Sequence, residues 1–236
     1  MASKSGPDII EDGLVLCLDA ASKRSYPKSG TTWSDLIGAN NGTMQNMTSA
    51  NYSSDNGGSL IFTGTDDYIS LGDIFSFGTG DFSIETLVLY NNLSSNIAGA
   101  TVAKDNYSGS STYKGFLLNI SSGLNFETRN IVGGSGTNTN CRLSQANMST
   151  GRWYFVHANR INNVLKLYVD GVLVDSAAES VATDVSNTHE LRVASLSNSS
   201  SQRLNGNISS VKIYNRALTA SEVLQNYNAT RGRYDI

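Results

Sequence analysis

The chain predicts an all-β fold, a two-sheet antiparallel sandwich closed by one short C-terminal helix. Three observations point there. Residues 165–176 read LKLYVDGVLVDS, an Asp-Gly pair between two alternating apolar runs, which is a strong short-range hairpin signal. Twenty-two glycines stand against two prolines, with 39% hydrophobic and 16% charged residues, a balance that suits short strands, tight turns and a packed core. Thr219, Ala220, Ser221 and Glu222 form a Ser/Thr-x-x-Glu capping box, which satisfies two orphan amide donors at a helix start. At 236 residues the chain reads as one domain, residues 13–236, behind an N-terminal arm, residues 1–12.

The arm mixes charge, Gly6 and Pro7 with one apolar pair, Ile9 and Ile10, and is expected to fray or to dock on a neighbouring subunit. LVLCLDA (14–20) is almost continuously apolar, as in a strand covered on both faces. Trp33 follows among turn residues and reads as a plug under a long loop. In GSLIFTGTDDYISLG (58–72), Asp66 and Asp67 are expected to make turn hydrogen bonds at the entry to the strand YISLG.

DFSIETLVLY (81–90) places Phe82, Ile84, Val88 and Tyr90 on one parity, yet Leu87 and Leu89 occupy the other. Something must therefore cover its outer face: the arm, a loop of the chain, or another protein. GFLLNI (115–120), GLNFETR (123–129) and ELRVASL (190–196) read as further strands. In the hairpin, a type I′ turn at Asp170 and Gly171 sets Val169 opposite Val172, Leu167 opposite Val174 and Lys166 opposite Asp175. The helix is expected over residues 220–226, with Val223, Leu224 and Tyr227 packing on the sandwich.

A net charge of −3 with scattered basic residues leaves no footprint for nucleic acid. No apolar run is long enough to span a bilayer, so no membrane partner is expected. The first residues lack the apolar segment of a secretory signal, which implies folding in a cytoplasm. There Cys17 and Cys141 would stay free thiols. The Asn-X-Ser/Thr triplets at Asn41, Asn119, Asn207 and Asn228 are then by-products of composition.

The opening block GLVLCLDAASKRSYPKSGTTWSDLIGANNGTM (13–44), the phrases at 58–72 and 151–176, and the ending LNGNISSVKIYNRAL into LTASEVLQNYNATRGRY together resemble the laminin-G-like, concanavalin A-like jelly-roll domain. The resemblance implies a jelly-roll topology for the sandwich. The opening block and NYNATRGRY further resemble forms of this domain in structural proteins of tailed bacteriophages. This implies a non-catalytic virion protein, a capsid decoration or a tail or fibre component, made in the host cytoplasm. Its partners would be other virion proteins, copies of itself in a homo-oligomer, and host cell-surface glycans. The alternatives are a carbohydrate-binding lectin module and, behind it, a polysaccharide hydrolase or lyase.

No catalytic residue is assigned. Related glucanases carry Glu-x-Asp-x-x-Glu on one strand, whereas Glu85 and Glu127 each stand alone here and read as edge-facing charges. His157, sharing parity with Trp153 and Phe155, reads as a hydrogen-bonded strand histidine. Neither it nor His189 has the companions of a zinc site. The family resemblance implies one calcium on the rim, held by Asp66 or Asp67 with an acidic residue after the isoleucine of the last strand. Ser209 and Ser210 follow Ile208 instead, so no metal or other cofactor is assigned. For glycan binding the candidates are Tyr107 and Tyr113, two aromatic plates in the hydroxyl-rich loop KDNYSGSSTYKG (104–115).

Overall fold

The computed structural model describes residues 7–93, 99–105, 111–197 and 202–236. Its strands are β1 (Leu14–Asp19), β2 (Thr32–Trp33), β3 (Gly42–Gln45), β4 (Tyr52–Ser53), β5 (Ser59–Thr63), β6 (Tyr68–Ser70), β7 (Phe82–Tyr90) and β8 (Gly99–Asp105). They continue with β9 (Tyr113–Ile120), β10 (Gly123–Val132), β11 (Ser135–Ser144), β12 (Trp153–Ile161), β13 (Val164–Val169), β14 (Val172–Ala178), β15 (Arg192–Val193) and β16 (Asn205–Tyr214). One α-helix, α1 (Ala220–Thr230), follows.

The first sheet runs β14-β13-β12-β7-β16-β5-β4, with β1 also pairing with β16. The second runs β11-β10-β9-β8-β15-β6-β3-β2. Neighbours in space are often distant in sequence, as in a jelly roll. Between the sheets the inner parity of each strand meets its counterpart: Phe82, Ile84 and Val88 of β7 pack with Val102, Phe116 and Phe126. The Phe82 and Phe116 rings lie 5.0 Å apart and tilted by 46°. Each such burial contributes about 1.5–3 kcal/mol. Trp33 is fully buried in the same core, a plug as its surroundings suggested.

The outer face of the first sheet is covered by the chain itself. Leu87 packs with Trp153, Phe155, Tyr214, Leu218, Val223 of α1 and Tyr234, and Ile10 of the arm closes over them. Of the covers expected over Leu87 and Leu89, the chain's own arm and C-terminal segment supply this one, and the face is not left for another protein. The arm is pinned as well: Ile10 N–H donates to Asn226 Oδ1 at 2.8 Å, Tyr214 Oη donates to the Ile10 carbonyl at 3.1 Å, and Gln225 Nε2 donates to the Asp8 carbonyl at 2.8 Å.

The capping box forms as its residues imply, with Thr219 accepting from Glu222 N–H and Glu222 accepting from Thr219 N–H. The helix runs one turn further than expected, to Thr230; in that turn Tyr227 packs edge-on to Phe155 of the sheet and Thr230 Oγ1 donates to the Asn226 carbonyl at 2.8 Å. Leu224 faces outward and is exposed, not packed.

The hairpin turn has its two left-handed residues, Asp170 at φ 51° and Gly171 at φ 78°. Val169 pairs with Val172, but beyond Tyr168 and Leu173 the register slips, so that Leu167 faces Asp175 and Lys166 faces Ser176. Val174 is the extra residue of a β-bulge, which re-aims its neighbours. Asp175 Oδ2 accepts the Arg142 N–H of β11 at 2.8 Å and thus ties the free edges of the two sheets together.

Candidate functional site

On the outer face of the second sheet, alternation lines up residues of neighbouring strands in cross-strand rows. One row is Asp105, Gly115, Arg129 and Asn138, from β8, β9, β10 and β11 in order. The next is Ala103, Leu117, Glu127 and Asn140. Gly115 matters because it adds no side chain to its row: a Cβ there would lie 2.0 Å from the Lys104 carbonyl oxygen, and its φ is +144°. Arg129 and Asp105 sit two strands apart, roughly 10 Å at the backbone. Across the gap over Gly115, Arg129 Nη1 comes within 3.2 Å of Asp105 Oδ2.

The same guanidinium grips Glu127, with Nη2 at 2.7 Å and Nε at 3.0 Å from Oε2. Burial pushes the Asp105 carboxyl up to about 6 against the lowering effect of Arg129, and Glu127 adds to the rise. Its Oδ1 has no hydrogen-bond partner among the described residues. Leu196, just past β15, is buried against Ala100, Ala103 and Leu117 on this face. Gln202 stands shortly before β16. Together with Tyr113, Arg129, Ile131 and Asn138 it lines a cleft of about 280 Å³.

The chemistry of this lining suits a hydroxyl-rich ligand. Asn138 and Gln202 each offer a donor and an acceptor, and a guanidinium carries five N–H donors, of which the carboxylates occupy three. The ring of Tyr113 and the side chain of Ile131 supply apolar surface, with Arg129 set 5.8 Å from the centre of the Tyr113 ring. Tyr113 thus stands in the cleft wall, while Tyr107 lies outside the described residues. Arg129, Asn138 and Gln202 went unnoticed in the sequence because they come from two strands and a connection. The alternation of threonine and asparagine over residues 137–140 was the available signal.

The two glutamates are not edge-facing charges. Glu127 is almost buried beside Arg129. Glu85 lies under α1, with Oε1 2.8 Å from Lys212 Nζ, and Oε2 2.8 Å from Asn226 Nδ2 and 3.4 Å from His157 Nδ1. Burial pushes the Glu85 carboxyl up, but Lys212 and His157 outweigh it and hold it at about 2. This cluster clamps helix and arm onto the sheet. His157 is a buried strand histidine within it, edge-on to the Tyr168 ring. His189 Nα donates to Asn187 Oδ1, and its carbonyl accepts from Lys104 Nζ.

The calcium ligands implied by resemblance do not assemble. Asp67 Oδ2 accepts the Thr63 N–H at 2.7 Å, and the carbonyl of Asp66 accepts from Arg203 Nη1 at 3.2 Å. Ser209 sits at the opposite end of β5, where its Oγ donates to the Gly58 carbonyl, roughly 15 Å away by strand rise. Asp67 brings a single carboxylate, its Oδ1 without a hydrogen-bond partner among the described residues, where a hard cation wants several oxygens. Among the described residues no group of three or more His, Cys, Asp or Glu is placed to hold a metal ion. Cys17 and Cys141 are buried free thiols, pushed up by burial to about 11 and about 12.

The sheet order and the matched sequence agree on the family. The family model of the concanavalin A-like lectin/glucanases superfamily matches residues 63–224. The chain belongs to this superfamily. Similar solved structures include domain 4 of AbnA, a GH43 extracellular arabinanase from Geobacillus stearothermophilus, in complex with arabinotriose, at TM-score 0.66 and 16% identity, covering 92% of this chain and 100% of that one. The binding domain of Paraclostridial Mosquitocidal Protein 1 matches at TM-score 0.67 and 17% identity over 92% of this chain and 52% of that one. Trypanosoma rangeli sialidase in complex with the inhibitor DANA matches at 0.61 and 12% over 96% of this chain and 36% of that one. The chain therefore spans about half of the toxin domain and about a third of the sialidase. At these identities the likeness is one of fold. No curated protein sequence matches the chain.

Proposed function

We propose that this concanavalin A-like domain is a non-catalytic carbohydrate-binding module, and that its site is the cleft between Tyr113, Arg129, Asn138 and Gln202. The carrying observation is convergence: side chains from β9, β10, β11 and the approach to β16 meet at one concavity with both polar and apolar walls. The arabinanase domain of the same fold was solved with arabinotriose, which supports a saccharide as the kind of ligand this architecture takes. A binding role is favoured over hydrolysis by Arg129. Glycoside hydrolysis needs two carboxyl groups free to face the scissile bond from either side. Here one guanidinium engages both Asp105 and Glu127.

The test is a glycan array probed with the wild-type chain and with Tyr113→Ala. The reading expects binding that the variant loses. It is wrong if no saccharide binds, or if a bound polymer is cleaved.

We infer further that the module is displayed on a phage particle, on the strength of the blocks at residues 13–44 and 226–234. Copies of the chain would then meet through surfaces other than the Leu87 and Leu89 face, which the chain covers itself. Mass spectrometry of purified particles would detect the chain if this holds. Its absence from them would refute it.

A further inference from the structure

We propose that the cleft selects uncharged oligosaccharides and discriminates against those bearing carboxylates; this rests on the carbohydrate-binding reading above. An arginine in a sugar site is usually the group that draws in an acidic sugar, because its fork matches a carboxylate bidentately. Here the fork is already taken. Nη2 and Nε of Arg129 both point at Glu127 Oε2, at 2.7 and 3.0 Å, and Nη1 lies 3.2 Å from Asp105 Oδ2.

Two carboxylates around one guanidinium leave the trio with a net negative charge when all are ionised. Both acids are held beside Arg129 by burial: Asp105 is 0% and Glu127 7% exposed. Neither can swing away to free the cation. A ligand carboxylate would therefore meet an engaged cation and two like charges, a repulsion that a low-dielectric site amplifies.

Of the other cations near the sheet, Lys114 is paired with Asp184 at 2.7 Å and Arg192 with Glu190, while Arg203, beside Gln202, lies over the Tyr68 ring and donates to the Asp66 carbonyl. Arg142 lies four residues along β11 from Asn138, roughly 13 Å away by strand rise. What the cleft offers instead are groups that recognise hydroxyls: the Arg129 N–H bonds the carboxylates leave over, the amides of Asn138 and Gln202, and the Tyr113 ring against a sugar's C–H face.

The experiment is isothermal titration of the full chain with matched pairs that differ at the carboxylate: the methyl ester of sialyllactose against sialyllactose, and galactotriose against trigalacturonate. The neutral member of at least one pair is expected to bind at least about tenfold more tightly than its acidic partner, a difference the site's net charge makes electrostatic and hence weaker at high salt. Asp105→Asn with Glu127→Gln leaves Arg129 uncompensated, and this variant should shift preference toward the acidic member. If that double variant fails to fold, Glu127→Gln alone should narrow the discrimination. Equal or tighter binding of the acidic member in every pair that binds the wild type overturns the selectivity while leaving carbohydrate binding intact. Absence of binding to any member, and to a broader neutral panel, overturns the carbohydrate reading itself.

Discussion

Glu85 and Lys212 stand directly opposite each other on β7 and β16, with Glu85 Oε1 2.8 Å from Lys212 Nζ and both side chains buried under helix α1. The pair is extended on either side by His157, opposite Glu85, and Cys17, opposite Lys212. Asn226 of α1 reaches down to Glu85 and accepts from the Ile10 N–H of the arm. One charge row thus joins four strands, the helix and the N-terminal arm.

Breaking that pair from one side strands a charge in a dry layer. Lys212→Met is expected to cost about 3–5 kcal/mol, the usual loss when a buried pair keeps only one partner. Glu85→Met together with Lys212→Met should recover much of it, since well-packed apolar groups often replace a buried pair at little cost. Thermal melts of the single and double variants check this; equal destabilisation by both would refute the account of a stranded charge.

Acid stability should show two opposing carboxylates. Glu85 sits at about 2 in the fold against an ordinary 4.5, so the native state binds fewer protons and stability is lost as pH falls from 4.5 toward 2. Asp105 is raised to about 6 from 3.8, so between those values the native state holds more protons and this group adds stability as pH falls. Melts from pH 7 to pH 3 should show the second contribution vanish in Asp105→Asn while the acid loss persists. A wild-type profile unchanged by that substitution would contradict the burial argument for Asp105.

Gly115 is required twice, by its backbone and by the row it leaves open. Gly115→Ala forces a Cβ against the Lys104 carbonyl at a φ of +144°, and should cost more than about 1 kcal/mol. Saccharide binding should weaken with it. An unchanged melting temperature would show that the β8 and β9 backbones yield more easily than their spacing implies.

The rim around Asp67 pairs one buried carboxylate with the Thr63 amide and sets Arg203 against the neighbouring carbonyl. Chelator is therefore expected to leave the melting temperature unchanged, and millimolar calcium should not raise it. A ligand that binds only the folded state must raise it. A calcium-dependent increase would establish a site these residues do not describe.

Features decided within a few residues were legible in the sequence. The Asp170-Gly171 turn and the Thr219 capping box follow from local backbone demands, and the inner parity of β7 follows from side-chain alternation. What escaped was decided by distant partners. The Val174 bulge lets Asp175 meet Arg142 of another sheet, and nothing near residue 175 announces it. Glu85 looks solitary in SIETL because Lys212, His157 and Asn226 lie far along the chain. Leu87 and Leu89 did signal a covering layer, but their own positions could not say that α1 and Ile10 supply it. Within the cleft, Tyr113 was visible as an aromatic in a hydroxyl-rich loop. Its companions were hidden by the three-strand span that Gly115 opens.

The most direct measurement is a titration of isotopically labelled protein with a neutral trisaccharide such as arabinotriose or galactotriose, followed by NMR amide shifts. The cleft account predicts saturable shifts centred on Tyr113, Arg129, Ile131, Asn138 and Gln202, absent in Tyr113→Ala. Saturable shifts confined to the α1 face, or no saturable shift with any saccharide, would contradict it.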